Sequence, residues 1–391
     1  MNSLNRKKNV SLIIYILTIA LSALLIWLGH SIVMRAGIPA VTTTVPAITA
    51  KVTAIVKREA DTYSLDGSTS IDCTKIIFRA KVTSGNDRGK EITAYQTNDA
   101  FMAQDAKEVQ PGDKVVLDFV REENSDIFWT FGEYVRTDKL MILGVVFLLL
   151  LIIFGRKKGF NTILSLAFTL LAIFAVFIPS ILAGFNVYLM CALTCIFVTV
   201  MSLLIIGGVG KKTISAILGC IGGLLFACGL TLLMSWVLGL TGMVDDNAVY
   251  LQFIKVGAPL NLKAITFAAI TIGALGAILD VSMSIASSVG EIASVSIQPT
   301  AKMLSKSGMQ IGRDIMGTMS NTLVLAYIGG GLASILLLIA YTNSATALLN
   351  KEMIVVEILQ ALVGSIGILL TIPLTAWISA LLFSRNARTP K

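Results

Sequence analysis

Apolar runs of about 20 residues recur along this 391-residue chain, and they constrain its fold more than any other feature. Only 14% of the residues are charged, whereas about a quarter of the residues in a soluble domain are charged. The runs predict a polytopic α-helical membrane protein with about eight transmembrane helices. The predicted helices cover residues 10–28, 140–154, 161–182, 187–206, 214–238, 264–288, 314–339 and 353–383.

The first apolar run follows three basic residues, Arg6, Lys7 and Lys8, as the core of a signal peptide does. The run at 10–28 is long for such a core, and no small-x-small cleavage site follows it closely. We therefore expect an uncleaved first helix, which together with the basic N-terminus makes up residues 1–34.

Residues 35–139 differ from the rest, because Val, Ile and Thr alternate there with turn-forming residues. The region holds 16 of the 23 acidic residues and 14 of the 31 basic residues, so it is nearly neutral. Five short strands in about 100 residues predict a small all-β domain, with an OB-like barrel as the candidate type. A seven-helix membrane bundle of residues 140–391 follows this domain. The predicted strands cover residues 48–56, 75–82, 90–95, 114–121 and 127–134.

Four aromatic residues close this β region. An interfacial aromatic belt before the next helix is one interpretation, and a surface on which a ligand stacks is the other. The four are Phe128, Trp129, Phe131 and Tyr134.

The basic residues outside 35–139 collect on one side of the predicted membrane. The short loops of the other side hold only Lys255, Lys263 and Lys351. By the positive-inside rule, both termini are cytoplasmic and residues 35–139 are extracytoplasmic in a multi-pass protein of the cell (plasma) membrane. The cytoplasmic set is Arg6, Lys7, Lys8, Arg156, Lys157, Lys158, Lys211, Lys212, Lys302, Lys306, Arg313, Arg385, Arg388 and Lys391.

Asp280 is the clearest ionisable residue within an apolar helix, and it lies nearer the cytoplasmic end of the helix predicted at 264–288. Such residues are costly in a membrane and are usually functional. Helical spacing places two small residues and two hydroxyl residues on the same face as Asp280. They are Gly273, Gly276, Ser284 and Ser287.

The helix predicted at 314–339 carries a matching polar face and a glycine triplet. The triplet permits a break or a close packing contact. The polar residues are Asp314, Thr318, Asn321 and Thr322, and the triplet is Gly329, Gly330 and Gly331.

These two faces predict a polar lane between the helices, in which Asp280 is protonatable or binds a cation. The alternative is a buried structural hydrogen-bond network, with Asp280 neutral or paired to a basic side chain. Asp314 also fits a plain N-terminal capping role, since acids stabilise the starts of helices.

Signatures of enzymes and cofactor sites are missing from the sequence. It contains no G-x-x-x-x-G-K-[ST], H-E-x-x-H or G-x-S-x-G motif, so we expect no enzymatic activity and no cofactor. The single histidine, His30, argues against the usual zinc sites, although the sequence leaves other metals open. Only Cys73 falls in the β region, which excludes a disulfide framework there. No basic stripe with interleaved aromatics suggests a nucleic-acid partner.

The stretch from Gly273 to Gly329 reads GALGAILDVSMSIASSVGEI and, after a short linker, SGMQIGRDIMGTMSNTLVLAYIG. It resembles the YibE/F-like family of bacterial multi-pass membrane proteins, whose layout of anchor, outer β domain and helical bundle is similar across nearly the whole chain. That resemblance implies a permease of unknown substrate and carries over no catalytic residues. A fainter resemblance, to SecD/SecF and RND-type permeases, covers two helices and implies proton-driven transport. It rests on Asp280, Glu291, Thr318 and Thr322.

The expected function is therefore a proton- or cation-coupled secondary transporter, whose partners are the lipid bilayer and a small-molecule or ion substrate. A membrane-anchored sensor or envelope assembly factor is the alternative, in which the β domain binds a partner or polymer. The sequence leaves the substrate, the direction of transport and a homo-oligomer open.

Substituted-cysteine labelling tests the predicted orientation. A maleimide that does not cross membranes should label Lys263→Cys in intact cells and leave Lys212→Cys unlabelled, because the two positions lie on opposite sides of the membrane. Labelling of Lys212→Cys from outside would contradict this topology.

Overall fold

The computed structural model describes residues 2–37, 47–64, 70–85, 87–99, 107–120, 129–253, 259–341 and 344–384. The chain forms two compact units. One consists of Met1–Pro39 and Leu151–Lys391, and the other is Ala40–Leu150. Three features discussed above lie outside the described residues, namely Phe128, Lys255 and the basic residues after 384.

The smaller unit contains a closed barrel of five described strands in the order β1-β2-β3-β5-β4. The neighbouring strands are antiparallel except β3 and β5, which pair in parallel at Tyr95 and Thr130. This confirms the small five-stranded β region. The strands are β1 (Ala47–Ser64), β2 (Ser70–Val82), β3 (Glu91–Asp99), β4 (Lys114–Phe119) and β5 (Trp129–Tyr134).

Side-chain alternation fills the inside of this barrel. Val115 and Leu117 are fully buried on β4, since alternate residues of a strand face the same side. They join Ile76 and Phe78 of β2 in one apolar cluster. Trp129, Phe131 and Tyr134 are partly buried against that cluster.

Outside the barrel the described chain is mostly helical, and its helices confirm the prediction of several long apolar helices. By length and composition, six described helices could cross a membrane, or seven if α8 and α9 form one span. The helices are α1 (Asn2–Arg35), α2 (Thr137–Leu171), α3 (Ile178–Leu182), α4 (Val187–Gly207), α5 (Lys211–Val237), α6 (Asp246–Phe253), α7 (Leu262–Val295), α8 (Ala301–Gly330), α9 (Leu332–Tyr341), α10 (Ala345–Leu349) and α11 (Glu352–Ser384).

A break at Arg156 divides the long segment Thr137–Leu182. Arg156 has a non-helical backbone (φ 48°, ψ −125°), and the chain turns so sharply that a side chain at Gly159 would overlap the carbonyl oxygen of Leu151. A single apolar helix through this point would carry three consecutive basic residues along its length. The break instead leaves two parts, each about as long as the ~20 residues that cross a bilayer.

A π-helical turn, Ala172–Phe177, connects α2 to α3, and α1 supports it. Pro179 has no backbone N–H, so it cannot donate to the carbonyl of Ala175 four residues earlier. The Nδ1 atom of His30 lies 2.8 Å from that carbonyl oxygen and, because a carbonyl can only accept, donates the hydrogen bond. The single histidine therefore satisfies a carbonyl group that the proline leaves free.

α11 is the centre of the bundle and packs against α5, α7 and α8. In lipid the hydrophobic effect does not drive helices together, so close van der Waals contact between small residues becomes the main attraction. A Cβ atom at Gly308 would lie 2.9 Å from both Ala376 and Val289. Similar close approaches occur at four other glycines. They pair Gly219 with Thr375, Gly223 with Thr371, Gly312 with Ile372, and Gly367 with Ile278.

The boundaries of α7 and α8 differ from those predicted at 264–288 and 314–339. α7 continues to Val295, and α8 already begins at Ala301, where Thr300 caps it. Hydropathy does not predict residues 301–313 as part of α8 because their sequence is mostly polar. Only one face of this part, including Leu304, Gly308 and Gly312, is buried.

Glu352 joins the first turn of α11 to the loop after α5. Its carboxylate accepts hydrogen bonds from the backbone N–H groups of Thr241 and Gly242 at 2.8 Å and 2.6 Å. The hydroxyl of Thr241 donates a third bond of 2.7 Å. The α5–α11 pair is therefore fixed near this end as well as along its length.

Replacement of Gly219 by alanine tests the importance of the α5–α11 contact. The new methyl group would lie 2.8 Å from Thr375 Cβ and 3.1 Å from its Cα, so we expect a loss of about 1–3 kcal/mol in stability. Unfolding of the purified protein in detergent measures the change.

Gly229→Ala on the same helix is the matched control, because nothing lies within 4 Å of its added methyl group. This variant should be neutral or gain up to about 1 kcal/mol from helix propensity. Equal effects of the two variants would contradict the packing argument.

Candidate functional site

Asp280 lies close to the middle of α7, because that helix extends from Leu262 to Val295. Its side chain is exposed and lines a cavity of about 320 Å³ between α7, α4 and the part of α2 after the break. The neighbouring Gly276 lines the same cavity and leaves room beside the carboxylate, since nothing lies within 4 Å of where its Cβ would be.

Hydroxyl side chains from α2 and α4 form much of the polar wall of this cavity. They recur at helical intervals on each helix, so each set occupies one face. The cavity hydroxyls are Thr162, Ser165 and Thr169 on α2, and Thr194 and Ser202 on α4. The sequence interpretation missed them, although the same three- and four-residue spacing that marked α7 was present in both segments.

The carboxylate of Asp280 has no hydrogen-bond or ion-pair partner among the described residues. Two of the hydroxyls bond to backbone within their own helix, since Thr162 donates to the carbonyl of Lys158 and Thr169 to that of Ser165. The interpretation of Asp280 as one half of a buried salt bridge therefore has no support in the described residues. The unpaired carboxylate of Asp280 is therefore free to bind a proton or a cation.

The polar face of α8 does not meet Asp280, and the cavity contains no α8 residue. Asp314, Thr318, Asn321 and Thr322 are all exposed, whereas Gly308 and Gly312 of the same helix are buried. Thr318 and Thr322 donate to carbonyls of their own helix at 2.9 Å and 2.8 Å. Gln310 contacts the carboxylate of Asp314 at 3.3 Å.

On α7 itself, the hydroxyl residues of the predicted face lie outside this cavity. Ser284 is exposed, and its carbonyl accepts a 2.9 Å hydrogen bond from Ser288. Ser287 is half-buried. The structure therefore does not assemble the predicted lane between α7 and α8 as one group of contacting side chains.

The predicted packing glycines fall into different environments. A Cβ at Gly273 would lie 2.7 Å from Gln360 Nε2 and 2.9 Å from the Tyr327 hydroxyl, so α7, α8 and α11 approach closely there. Sequence reasoning missed Gln360 and Tyr327, which are single polar residues in otherwise apolar surroundings.

The glycine triplet lies where α8 ends and α9 begins, and the two helices meet at an angle of 63°. Nothing lies within 4 Å of a Cβ placed on Gly329 or Gly330. Gly331, at the bend, approaches the carboxylate of Glu357. The described residues contain no group of three or more His, Cys, Asp or Glu side chains placed to hold a metal ion.

The barrel unit contains a second cavity, of about 660 Å³, lined by charged and aromatic residues. Phe131 and Tyr134 contact each other with ring centroids 4.9 Å apart, and the Tyr134 hydroxyl donates to the backbone carbonyl of Lys107 at 2.5 Å. Burial raises the pKa of Tyr134 despite the opposing effect of the Lys107 ammonium. Three ion pairs surround these rings. They are Lys107–Asp113 at 2.8 Å, Arg136–Glu133 at 2.9 Å, and Lys114–Asp138.

Comparison with known proteins identifies the helical part of the chain. A model of the family described as YibE/F-like protein matches residues 143–385. Neither the comparison with curated proteins nor that with solved structures gives a match.

The turn beside the barrel cavity predicts a pH dependence. Burial alone would raise the pKa of Asp113, but hydrogen bonds from Lys107 Nζ and the N–H of Gln110 outweigh it and lower the pKa below 3.8. This interaction is therefore fully present above pH 3.8 and is lost as the pH falls through the lowered value. Asp113→Asn should reduce the protection of the β4 amides from hydrogen exchange at neutral pH. As the pH falls, that protection should decrease less in the variant than in the wild type.

Asp87→Asn is the control, since Asp87 pairs with Lys90 in an exposed turn of the same barrel. Exposed ion pairs contribute little to stability, so β4 protection in this variant should depend on pH as it does in the wild type. If β4 protection fell equally with decreasing pH in the wild type and in Asp113→Asn, the proposed role of the Asp113 carboxylate would be contradicted.

Proposed function

We propose that this chain, which belongs to the YibE/F-like protein family, is a secondary transporter that couples the movement of a small molecule or ion to binding of a proton or cation at Asp280. One observation carries the proposal. An unpartnered carboxylate near the middle of a long apolar helix lines a mainly apolar cavity that also contains five hydroxyl side chains.

The proposed membrane arrangement has eight crossings. The six candidate helices become eight spans if the break at Arg156 separates two of them and α8 with α9 makes one more. The basic residues of the loops support a cytoplasmic location of both termini in a plasma-membrane protein. The proposed division is an anchor at 1–34, an extracytoplasmic β domain at 35–139 and a bundle at 140–391.

The position of Asp280 supports a coupling role. Secondary transporters commonly bind substrates and coupling ions near the bilayer midplane, and Asp280 is close to the middle of α7. Carboxylate and hydroxyl oxygens suit hard cations, while protonation alone would neutralise the carboxylate in the apolar surroundings. Either event changes the charge of the cavity from negative to neutral or positive.

The bend at Gly331 supports the same class of protein. Discontinuous helices occur at the binding sites of transporters, where they expose backbone groups inside a bundle. α8 and α9 meet at 63°, next to the carboxylate of Glu357. The polar α8 residues 314–322 would belong to a second stretch of the path and not to the Asp280 cavity.

The barrel is proposed to be OB-like, because five strands close through a parallel β3–β5 pair around one apolar core. In the transporter it would contact substrate or a partner outside the membrane. No enzymatic step is proposed for either unit.

A membrane-anchored sensor or assembly factor is the second candidate, favoured by the charged and aromatic cavity of the barrel. In that case residues 35–139 on a foreign membrane anchor should restore part of the function of a deletion strain. A transporter whose path lies in the bundle predicts no restoration.

Carbodiimide labelling tests Asp280 without knowledge of the substrate. Dicyclohexylcarbodiimide modifies protonated carboxyl groups in apolar surroundings, so it should label Asp280 in liposomes. The labelling should fall as the pH rises and, for a sodium-coupled protein, when Na⁺ is added. Mass spectrometry of the modified peptide measures both effects.

At normal expression, Asp280→Asn should abolish the labelling and should fail to support normal growth of a deletion strain. Asp314→Asn should keep the labelling. The coupling role fails if Asp280→Asn supports normal growth, or if neither pH nor any cation changes the reactivity of Asp280.

A further inference from the structure

A groove of about 580 Å³ runs between the first half of α8 and the last part of α11. It is separate from the Asp280 cavity, and the two share no lining residue. Near the groove the two helix backbones approach closely, since a Cβ at Gly308 would lie 2.9 Å from Ala376.

Three cations line the groove without an acidic residue among the lining residues. Lys302 and Lys306 are one helical turn apart, and Arg313 lies two turns further on, so all three occupy one side of α8. All are exposed, and none forms an ion pair within the described part of the chain. Ser305 and Gln310 add polar groups between them.

The opposite wall is apolar and belongs to α11. Trp377 has 59% of its surface exposed, and Ala380 and Leu381 follow it along the groove. Tryptophan is typical of the interface between headgroups and acyl chains. The groove therefore combines a row of cations with an apolar wall, as an amphipathic ligand requires.

The depth of Arg313 distinguishes this groove from an ordinary solvated surface. The neighbouring Gly312 packs on Ile372, whereas α11 continues to Ser384, about 18 Å further along its axis. A guanidinium at that depth is costly in contact with hydrocarbon unless it extends to the interface or acquires a counter-ion. An anionic group in the groove would remove that cost.

We infer that this groove binds the phosphate headgroup of an anionic phospholipid, with one acyl chain along Trp377. Basic pockets between transmembrane helices on the cytoplasmic side bind such headgroups, and the positive-inside bias puts α8's start and α11's end there. The inference rests on the proposed membrane orientation and is independent of any transport role for Asp280.

Lipid retention by the full chain tests the site. Protein in nanodiscs of phosphatidylcholine with a small fraction of phosphatidylglycerol is extracted, and the phosphatidylglycerol that remains bound is counted by native mass spectrometry. Lys302→Gln with Lys306→Gln should weaken retention on the order of tenfold or more. Lys302→Arg with Lys306→Arg should retain the lipid, because the charges are kept.

Lys157→Gln with Lys158→Gln is the matched control, since it removes two exposed charges from the same proposed side of the membrane. It should keep wild-type retention. Equal losses in the control and the test variant would overturn the site in favour of general surface charge, and unchanged retention in the test variant would overturn it outright.

A second arm separates lipid from free phosphate. Inorganic phosphate added to protein in pure phosphatidylcholine should not raise the thermal midpoint, whereas phosphatidylglycerol should raise it in the wild type and the arginine variant. An equal rise with inorganic phosphate would show an anion site that does not select lipid and would overturn the inference. Normal carbodiimide labelling of Asp280 in the Lys302→Gln, Lys306→Gln variant would show that any change in lipid retention concerns this groove and not the Asp280 site.

Discussion

Close contact along α11 is the interaction on which the rest of the bundle depends. Helices in lipid gain little from burying apolar surface against one another, so their association depends on how closely their backbones can approach. Glycines supply that closeness on α5 at 219 and 223, on α8 at 308 and 312, and on α11 at 367. The Glu352 carboxylate adds three hydrogen bonds to the loop after α5. These contacts fix which faces of α5, α7 and α8 lie against α11, and so they determine which surfaces remain for other purposes.

The position of Asp280 follows from that packing. Ile278 contacts Gly367 on α11, and a residue two positions later lies about 200° around the helix. Asp280 therefore points away from α11 and towards α4 and the second part of α2, whose hydroxyl faces complete the cavity. The same packing turns the small face of α8 inward and its polar face outward. One consequence is a set of cations beside Trp377, and another is the separation of Asp314 and Thr318 from the Asp280 cavity.

Much of the fold could be predicted from local sequence, because local patterns report local structure. Val115 and Leu117 alternate with polar residues as a half-buried strand requires, and five such strands are present. The predicted start of α8, at residue 314, is wrong by several turns. Hydropathy averages over all sides of a helix, whereas only the side with Leu304, Gly308 and Gly312 is buried here. Asp280 could be identified as a candidate from its cost in lipid, but its neighbours could not be identified from α7 alone.

The sequence by itself determined that this chain has long apolar helices, a small β domain between the first two of them, and a carboxylate within α7. Its match over residues 143–385 placed it in the YibE/F-like family. Only the tertiary structure decided that Asp280 shares a cavity with Thr162, Ser165 and Ser202, and that α8 directs its polar residues elsewhere. The physical reason is that helical periodicity fixes which residues share a face, whereas the choice of neighbour for that face depends on backbone contacts between helices distant in sequence.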